Sequence, residues 1–559
     1  MRKILKFVFI GLFLFVCGTS FGAVYDVGPS RSLTSIADVP WATLQPGDTV
    51  LIHWRQTPYK EKWVICRQGS ANAPITISGV PNANGDLPII DGNGAVTPAG
   101  LNFWNEERGV IKIGGANIPS DTMPMHIIVE NLEIRSAHPN YQFTNDGGNT
   151  QSYINNAAGI YVEKGENIVL RNNILHDNGN GLFIGSPNST PSRDILIEGN
   201  YLHGNGVVGS AFYHNNYTAA LNITFQFNRF GPLRPGADGN NLKDRSAGTV
   251  VRYNWIESGN RQLDLVDAED SSVIAKAPEY QKTFVYGNVL IEPDGAGNSQ
   301  IVHYGGDSGI TSQYRKGKLY FYNNTVVSTR SGNTTLFRLS TNNESADARN
   351  NIFYVTATGN RLALLNAAGV LDLTHNWFKS GYRGSHGTVT GTINDAGTSV
   401  IDTVPGFVNA SLQDFGLSDG SSATNAGTIL HPDVLPAHAV SYEYKKHGQS
   451  ATRQDDGQID LGAFEKADLQ ISTTGLDSGR RGRGYRDQLL AAGGSGSYVW
   501  SVATGDLPPG LVLDPLTGSL WGKPMIKGNW TFLVEARDSQ DTSLFVEREL
   551  NITVTLYNN

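Results

Sequence analysis

Apolar and polar positions along the middle of the chain fall into one repeated phrase, an asparagine set directly before a short strand-like run. Asn131, Asn173, Asn200, Asn228, Asn254, Asn288, Asn324, Asn351 and Asn376 open these runs, at intervals of 42, 27, 28, 26, 34, 36, 27 and 25 residues. A second apolar run lies between successive asparagines: AGIYVE, GLFIGS, SAFYHN, NNLKDR, RQLDLV, QIVHYG, TLFRLS and LALLNA. Runs of four to six residues rich in β-branched and aromatic side chains, broken by Gly, Pro and Asn, are strands. A coil of this length cannot bury its apolar face alone, so the pattern predicts coils stacked on a continuous core. The short intervals fit one coil and the long ones a coil with an inserted loop. An Asn at the same turn of every coil accepts left-handed geometry and hydrogen-bonds its neighbour one layer away. The series is therefore read as structural. The fold class expected is all-β: a parallel β-helix solenoid.

The flanks differ. Arg2, Lys3 and Lys6 precede an apolar stretch from Phe7 to Val16, too short to span a bilayer, and Ser20 and Gly22 are small. This is the order of an export signal over 1–22. No other stretch reads as a membrane span. A cap follows, with a helix-like segment at Leu33–Trp41 and the strand TVLIHW, and the solenoid is expected over 23–466. After Lys466 alternating strands are split by the turns GGSGS, LPPG and DPLTG, which predicts a small antiparallel β-sandwich over 467–559.

Composition narrows the function classes. The formal charge is −8, and −11 once the three signal cations are removed, so the basic bias of a nucleic-acid binder is missing. Of two cysteines only Cys66 lies beyond the signal. There is thus no disulfide framework and no thiol metal site, and Cys66 is expected as a buried strand residue. The expected protein is an exported bacterial monomer, secreted, periplasmic or held at the cell surface.

One stretch departs from the plain repeat. Asp238–Asp270 carries charge where its strands need none. Lys243 and Arg245 are two apart and share a face. If Leu242 and Leu263 stack in the core, Lys243 lies beside Asp264, about 5 Å away along the stack. Asp267 follows on the same coil. Tyr213 and His214 fall one coil earlier, His303 and Tyr304 one coil later, and Arg261 and the aromatic Trp255 lie within the stretch. A Lys–Asp pair that merely decorates the wall is the competing reading.

The C-terminal stretch resembles the cadherin-like, Ig-type modules of bacterial exported proteins, matching at Gly493–Trp500, Leu507–Asp514 and Thr517–Gly522. Residues 24–465 resemble the right-handed parallel β-helix, or pectate-lyase-like, superfamily, which implies a right-handed solenoid. GNNLKDRSAGTVVRYNWI followed by a Leu-Asp-Leu strand is similar to a secreted subgroup of it. That resemblance implies a carbohydrate-active protein, and the function expected first is a polysaccharide lyase on an acidic, uronate-containing glycan. β-Elimination needs a neutralised carboxylate, a base and an acid for the leaving oxygen. Lys243 is the expected base and Arg245 the carboxylate or leaving-group stabiliser. Tyr213, His214 and His303 flank them, and Tyr304, Arg261 and Trp255 contact sugar. Asp264 and Asp267 are expected to hold Ca²⁺ or position polar groups. A non-catalytic carbohydrate-binding or adhesin solenoid, a glycoside hydrolase with two carboxylates and a uronate C5-epimerase remain the alternatives. The Asp-Asp and Gly-His-Gly motifs of the polygalacturonase-type hydrolases are missing from suitable positions.

Overall fold

The computed structural model describes residues 22–454, 457–466, 468–494, 496–539 and 542–556. The signal at 1–22 lies, apart from Gly22, outside the described residues. Three long sheets run the length of the solenoid, with 13, 11 and 10 strands, and the neighbours within each pair parallel, coil on coil. This is the stacked-coil fold that the spacing predicts. Each coil has three strands where the sequence pattern shows two. In one coil Ala247–Arg252 belongs to the first sheet, Trp255–Glu257 to the second and Leu263–Leu265 to the third. The first two read as a single run because only Tyr253 and Asn254 separate them.

That two-residue corner carries the ladder. The backbone N–H of Asn254 donates to Asn288 Oδ1 at 2.9 Å, its Nδ2 donates to the same oxygen at 3.0 Å, and Nδ2 also reaches the Phe225 carbonyl. The same pattern joins Asn173, Asn200, Asn228, Asn288, Asn324, Asn351 and Asn376, and all are buried. Two details differ from the sequence reading. The left-handed residue is the one before each ladder Asn, with φ of +54° at Tyr253 and +56° at Asn350. Asn131, at φ +58°, occupies that preceding corner, so the ladder position of its coil is Leu132, whose N–H donates to Asn173 Oδ1. At the other end Asn376 N–H donates to Ser399 Oγ.

The cap at the solenoid's start holds a 3₁₀ turn, Ile36–Asp38, in place of the expected helix. Pro40 disfavours helical geometry at Val39, which is extended and ends the turn. Cys66 is buried and free. No helix among the described residues is long and apolar enough to cross a membrane.

After the last coil the chain doubles back over the solenoid. Val434 packs on Val250, Tyr253, Phe284 and Tyr322 of the first sheet's outer face. Phe415, Tyr444 and Ala463 pack on Trp255, Val289 and Val327 of the second. The hydroxyls of Tyr253 and Tyr322 donate to the carbonyls of Ala439 and His438. Two outer faces are thereby covered along the middle coils, and no residue of the third sheet belongs to either packing cluster. The C-terminal residues form sheets of four and three strands around their own core of Trp500, Leu520, Phe532, Val534 and Ile552.

The ladder makes a quantitative prediction. Asn254→Ala strips the Asn228 N–H of its acceptor deep in the core, so stability should fall by about 2–3 kcal/mol. Asn131→Gly only relieves a left-handed residue and should change stability by less than about 0.5 kcal/mol. Chemical denaturation of the two variants beside the parent chain distinguishes them.

Candidate functional site

The third sheet holds the charged stretch. Its register sets Tyr217, Lys243, Asp264, His303 and Arg338 opposite one another on successive coils. Leu242, Leu263, Val302 and Phe337 form the adjacent column and are buried in the core. Alternation then places the first column on the outer wall. The expected stacking of Leu242 on Leu263, with Lys243 beside Asp264, is therefore present.

Two cations and four acids make a closed network there. Lys243 Nζ donates to Asp264 Oδ2 at 2.8 Å and to Asp307 Oδ2. Arg245 Nη2 donates to Asp307 Oδ1 at 2.9 Å and forms an ion pair with Glu269 Oε1 at 2.6 Å. Its Nη1 reaches the Asp267 carbonyl and, at 3.4 Å, the Asp267 carboxylate. Its Nε donates to the Tyr217 hydroxyl at 2.8 Å. Asp307 thus spans both cations. It sits in the Gly-Gly-Asp turn after the strand Gln300–Tyr304, where its N–H and that of Ser308 donate to Asp267 Oδ1. Lys243, Arg245, Asp264 and Asp267 are buried. The side chains of Asp307 and Glu269 stay 31% and 33% exposed, so these two carboxylates are open to a ligand.

The environments of the acids diverge. Burial alone would raise the Asp264 carboxyl, but Lys243, His303 and Arg261 carry it well below the usual carboxylate range. Asp307 is likewise lowered, as Lys243 and Arg245 outweigh its burial. Burial raises Glu269, with Arg245 opposing. Burial, and then the nearby Lys243, brings His214 down to about 3. His214 Nδ1 accepts the Asn240 N–H at 2.9 Å, and the ring lies 5.9 Å from that of Tyr217. It is a neutral support under Tyr217. His303 joins Asp264 Oδ1 at 2.8 Å and Ser340 Oγ at 3.0 Å, and burial lowers it.

Asp264 and Asp267 do not fit Ca²⁺. The Asp264 oxygens already receive Lys243, Asn240 and His303, with Arg261 at 3.9 Å. Those of Asp267 receive Asp307 N–H, Ser308 Oγ and Arg245. A hard dication needs free oxygens, not donors and cations on the same lone pairs. Among the described residues no group of three His, Cys, Asp or Glu is placed to hold a metal ion.

Three other expected residues are placed differently. Tyr304 is fully buried, since it stands two residues beyond core Val302 and stacks in the column of Leu265. Trp255 belongs to the second sheet and is buried under Phe415 and Tyr444 of the closing segment. Neither is a sugar platform. Tyr213 lies in the loop before the strand Asn216–Thr218, so the aromatic in register with Lys243 is Tyr217. The expected strand SAFYHN ran too early because the true one, with Asn216 and Thr218 buried, turns polar residues inward. Phe183 stacks on Tyr217 with ring centroids 5.0 Å apart and planes within 1°. Arg261 donates to Gln300 Oε1. The pattern read from the sequence left Tyr217, Asp307 and Arg338 unmarked: one sits in a misplaced strand, one in a turn, and one is a lone cation in an ordinary apolar run.

A cavity of about 720 Å³ lies on the other flank, between Trp255, Phe415, Lys446 and Leu544. Its carboxylates Glu443 and Glu465 are nearly buried, and Arg453 pairs with Glu465 at 2.6 Å. They fasten the closing segment and are a poor place for chemistry. A smaller cleft has Phe183, Tyr217, Arg245 and Asp270 in its wall, and this one adjoins the ionised network.

No protein-family model matches the chain, and no curated protein does. Among solved structures, the GH136 lacto-N-biosidase from Eubacterium ramulus is 13% identical over 68% of each chain, with a TM-score of 0.38. The DFA-IIIase from Arthrobacter chlorophenolicus A6 in complex with DFA-III is 10% identical over 67% of this chain and 77% of its own, with a TM-score of 0.33. Cadherin domains 1–4 of protocadherin gamma B7 match 16% of this chain at 20% identity and a TM-score of 0.14, and the match spans only 25% of that chain. The chemistry is therefore read from the site itself.

Beneath the network, Asp244 turns inward and is held by Thr218, Ser246, Thr249 and the fully buried Arg315. Arg315 Nε also donates to the Val266 carbonyl, which ties two coils of the site together. Arg315→Met leaves Asp244 as an uncompensated buried charge and should cost about 3–5 kcal/mol, read as a large fall in denaturation midpoint.

Proposed function

We propose that the chain is an exported glycoside hydrolase acting on a glycan laid along the third sheet, with Asp307 as nucleophile and Glu269 as acid and base. The observation that carries this is the pair of accessible carboxylates on one Arg245 nitrogen. Their distances of 2.9 and 2.6 Å from that nitrogen put their nearest oxygens no further apart than the about 5–5.5 Å that a double displacement uses. Their opposite environments suit the two roles. Asp307 is held as a carboxylate by Lys243 and Arg245, while burial favours the protonated form of Glu269.

The chemistry follows from the placement. A sugar stacked on Phe183 and Tyr217 presents its anomeric carbon to Asp307. Asp307 oxygen forms a bond to that carbon as the glycosidic C–O bond breaks, and Glu269 gives its proton to the departing oxygen. Glu269 then takes a proton from water, the water oxygen attacks the same carbon, and Asp307 is released as a carboxylate. Lys243 and Arg245 balance the Asp307 charge before the first step and as the carboxylate is released in the second.

The network supports hydrolysis better than elimination. The hydrogens of the Lys243 ammonium are directed at two carboxylates, so it is poorly placed to take a proton from a sugar. The Arg245 guanidinium already holds Asp267, Glu269 and Asp307 and has no edge left for a uronate.

Glycan panels should release new reducing ends without the far-ultraviolet absorbance of a 4,5-unsaturated product, and proton NMR should show the first-formed anomer retained. Absorbance would mean elimination, inversion would remove Asp307 as nucleophile, and binding without cleavage would mean an adhesin. Glu269→Gln should slow turnover by about 10²–10⁴-fold, and Asp307→Asn by at least as much, with both chains folded. Activity requires Asp307 ionised and Glu269 protonated. It should rise as pH climbs through a value below that of an ordinary Asp, and decline through one above that of an ordinary Glu; the pH profile of kcat/KM reads both limbs.

A further inference from the structure

The groove is asymmetric along its length. On the coils before Lys243 it is aromatic, with Phe183 and Tyr217 in register. On the coils after Asp264 it is cationic. Arg338 continues the outer column one coil beyond His303. It is half-buried and has no hydrogen bond or ion pair with any described residue. Arg261 stands on the same side. Its Nε and Nη2 share Gln300 Oε1, at 3.3 and 3.0 Å, and its Nη1 is 3.9 Å from Asp264 Oδ1. Gln300 Nε2 in turn donates to the exposed Asn366 at 3.0 Å.

The nearby acids do not serve Arg338. Asp264 is buried behind His303 and Lys243. Asp307 is directed at Lys243 and Arg245. Burial disfavours the charge of Arg261, and the guanidinium of Arg338, two coils further along, repels it as well. An anion between them would remove both penalties, and guanidinium is the side chain best shaped for carboxylate or sulfate. Gln300 and Asn366 offer amides for the hydroxyls around such a group.

We infer that the Arg338 end of the groove is a subsite for a sugar bearing an anionic substituent, a carboxylate or a sulfate, bound by Arg338 and Arg261. It rests on the groove being a glycan site, and it names the class of glycan: an acidic chain whose charged residue lies beyond the scissile bond and whose uncharged face stacks on Tyr217. Charge recognition and bond cleavage are thereby separated along the groove.

The test uses the full chain carrying Glu269→Gln, so that ligands are bound without turnover. Calorimetry compares a galacturonic acid tetramer, a sulfated galactan tetramer and uncharged cellotetraose. One of the two acidic chains should bind at least about tenfold more tightly than cellotetraose, as charge-assisted bonds to arginine provide, and the tighter one identifies carboxylate or sulfate. Adding Arg338→Gln should abolish that advantage, whereas Arg193→Gln, on the first sheet, should leave it intact. The inference fails if neither acidic chain binds, if cellotetraose binds equally well, or if Arg338→Gln changes affinity by less than twofold. Its failure is separable from that of hydrolysis. Wild-type protein that cleaves uncharged glycans and ignores charge refutes the anionic subsite alone, while charge-dependent binding in a protein that cleaves nothing refutes hydrolysis alone.

Discussion

Everything at the outer wall depends on the stacking register, and the asparagine ladder fixes that register. A strand slipped by one residue would turn its core column outward and its outer column inward. The ladder forbids the slip because each Asn must meet the next by its side-chain oxygen, its amide and its own backbone N–H. In an apolar interior an unmet amide costs far more than a met one contributes. Short third-sheet strands such as Leu242–Asp244 would hold their alignment poorly alone. They inherit it from the corner of the same coil, and this brings Tyr217, Lys243, Asp264, His303 and Arg338 into line.

The second constraint is which wall remains open. A coil has three outer faces, and aromatic residues line all of them. Along the middle coils the first and second are covered by the segment that doubles back after the last coil, so Tyr253, Tyr286, Tyr322 and Trp255 become a second layer of core. The third keeps Phe183 and Tyr217 at the surface beside the charges. Ion pairing then sorts the acids. Asp264 and Asp267 are buried and saturated with donors, and they position the cations. Asp307 pairs with both cations and Glu269 with Arg245 from the solvent side, and both remain available. One network thus has a structural half and a chemical half, divided by depth.

Much of the architecture was legible in the sequence. The spacing of the asparagines, the second strand of most coils, the pairing of Lys243 with Asp264 and the charged stretch all follow from periodicity. Asn131 looks like the other asparagines of the series but is the left-handed corner residue, and Leu132 fills the ladder site. SAFYHN was placed too early, because buried Asn and Thr break the apolar alternation on which a strand is recognised.

The sequence alone determined the coil, since a repeat that buries half of each strand admits few other solutions. It also located the charge on one outward face, because side chains two apart on a strand must agree. Only the tertiary structure decided which charges are free. Whether Asp264 can bind an ion depends on His303, Asn240 and Arg261, brought from other coils or from before the strand. Whether Trp255 can meet a sugar depends on Phe415, about 160 residues further along. Asp307 joins Lys243 and Arg245 from a turn whose position no local pattern encodes. Periodicity is a property of neighbours in the chain, while access and pairing belong to neighbours in space.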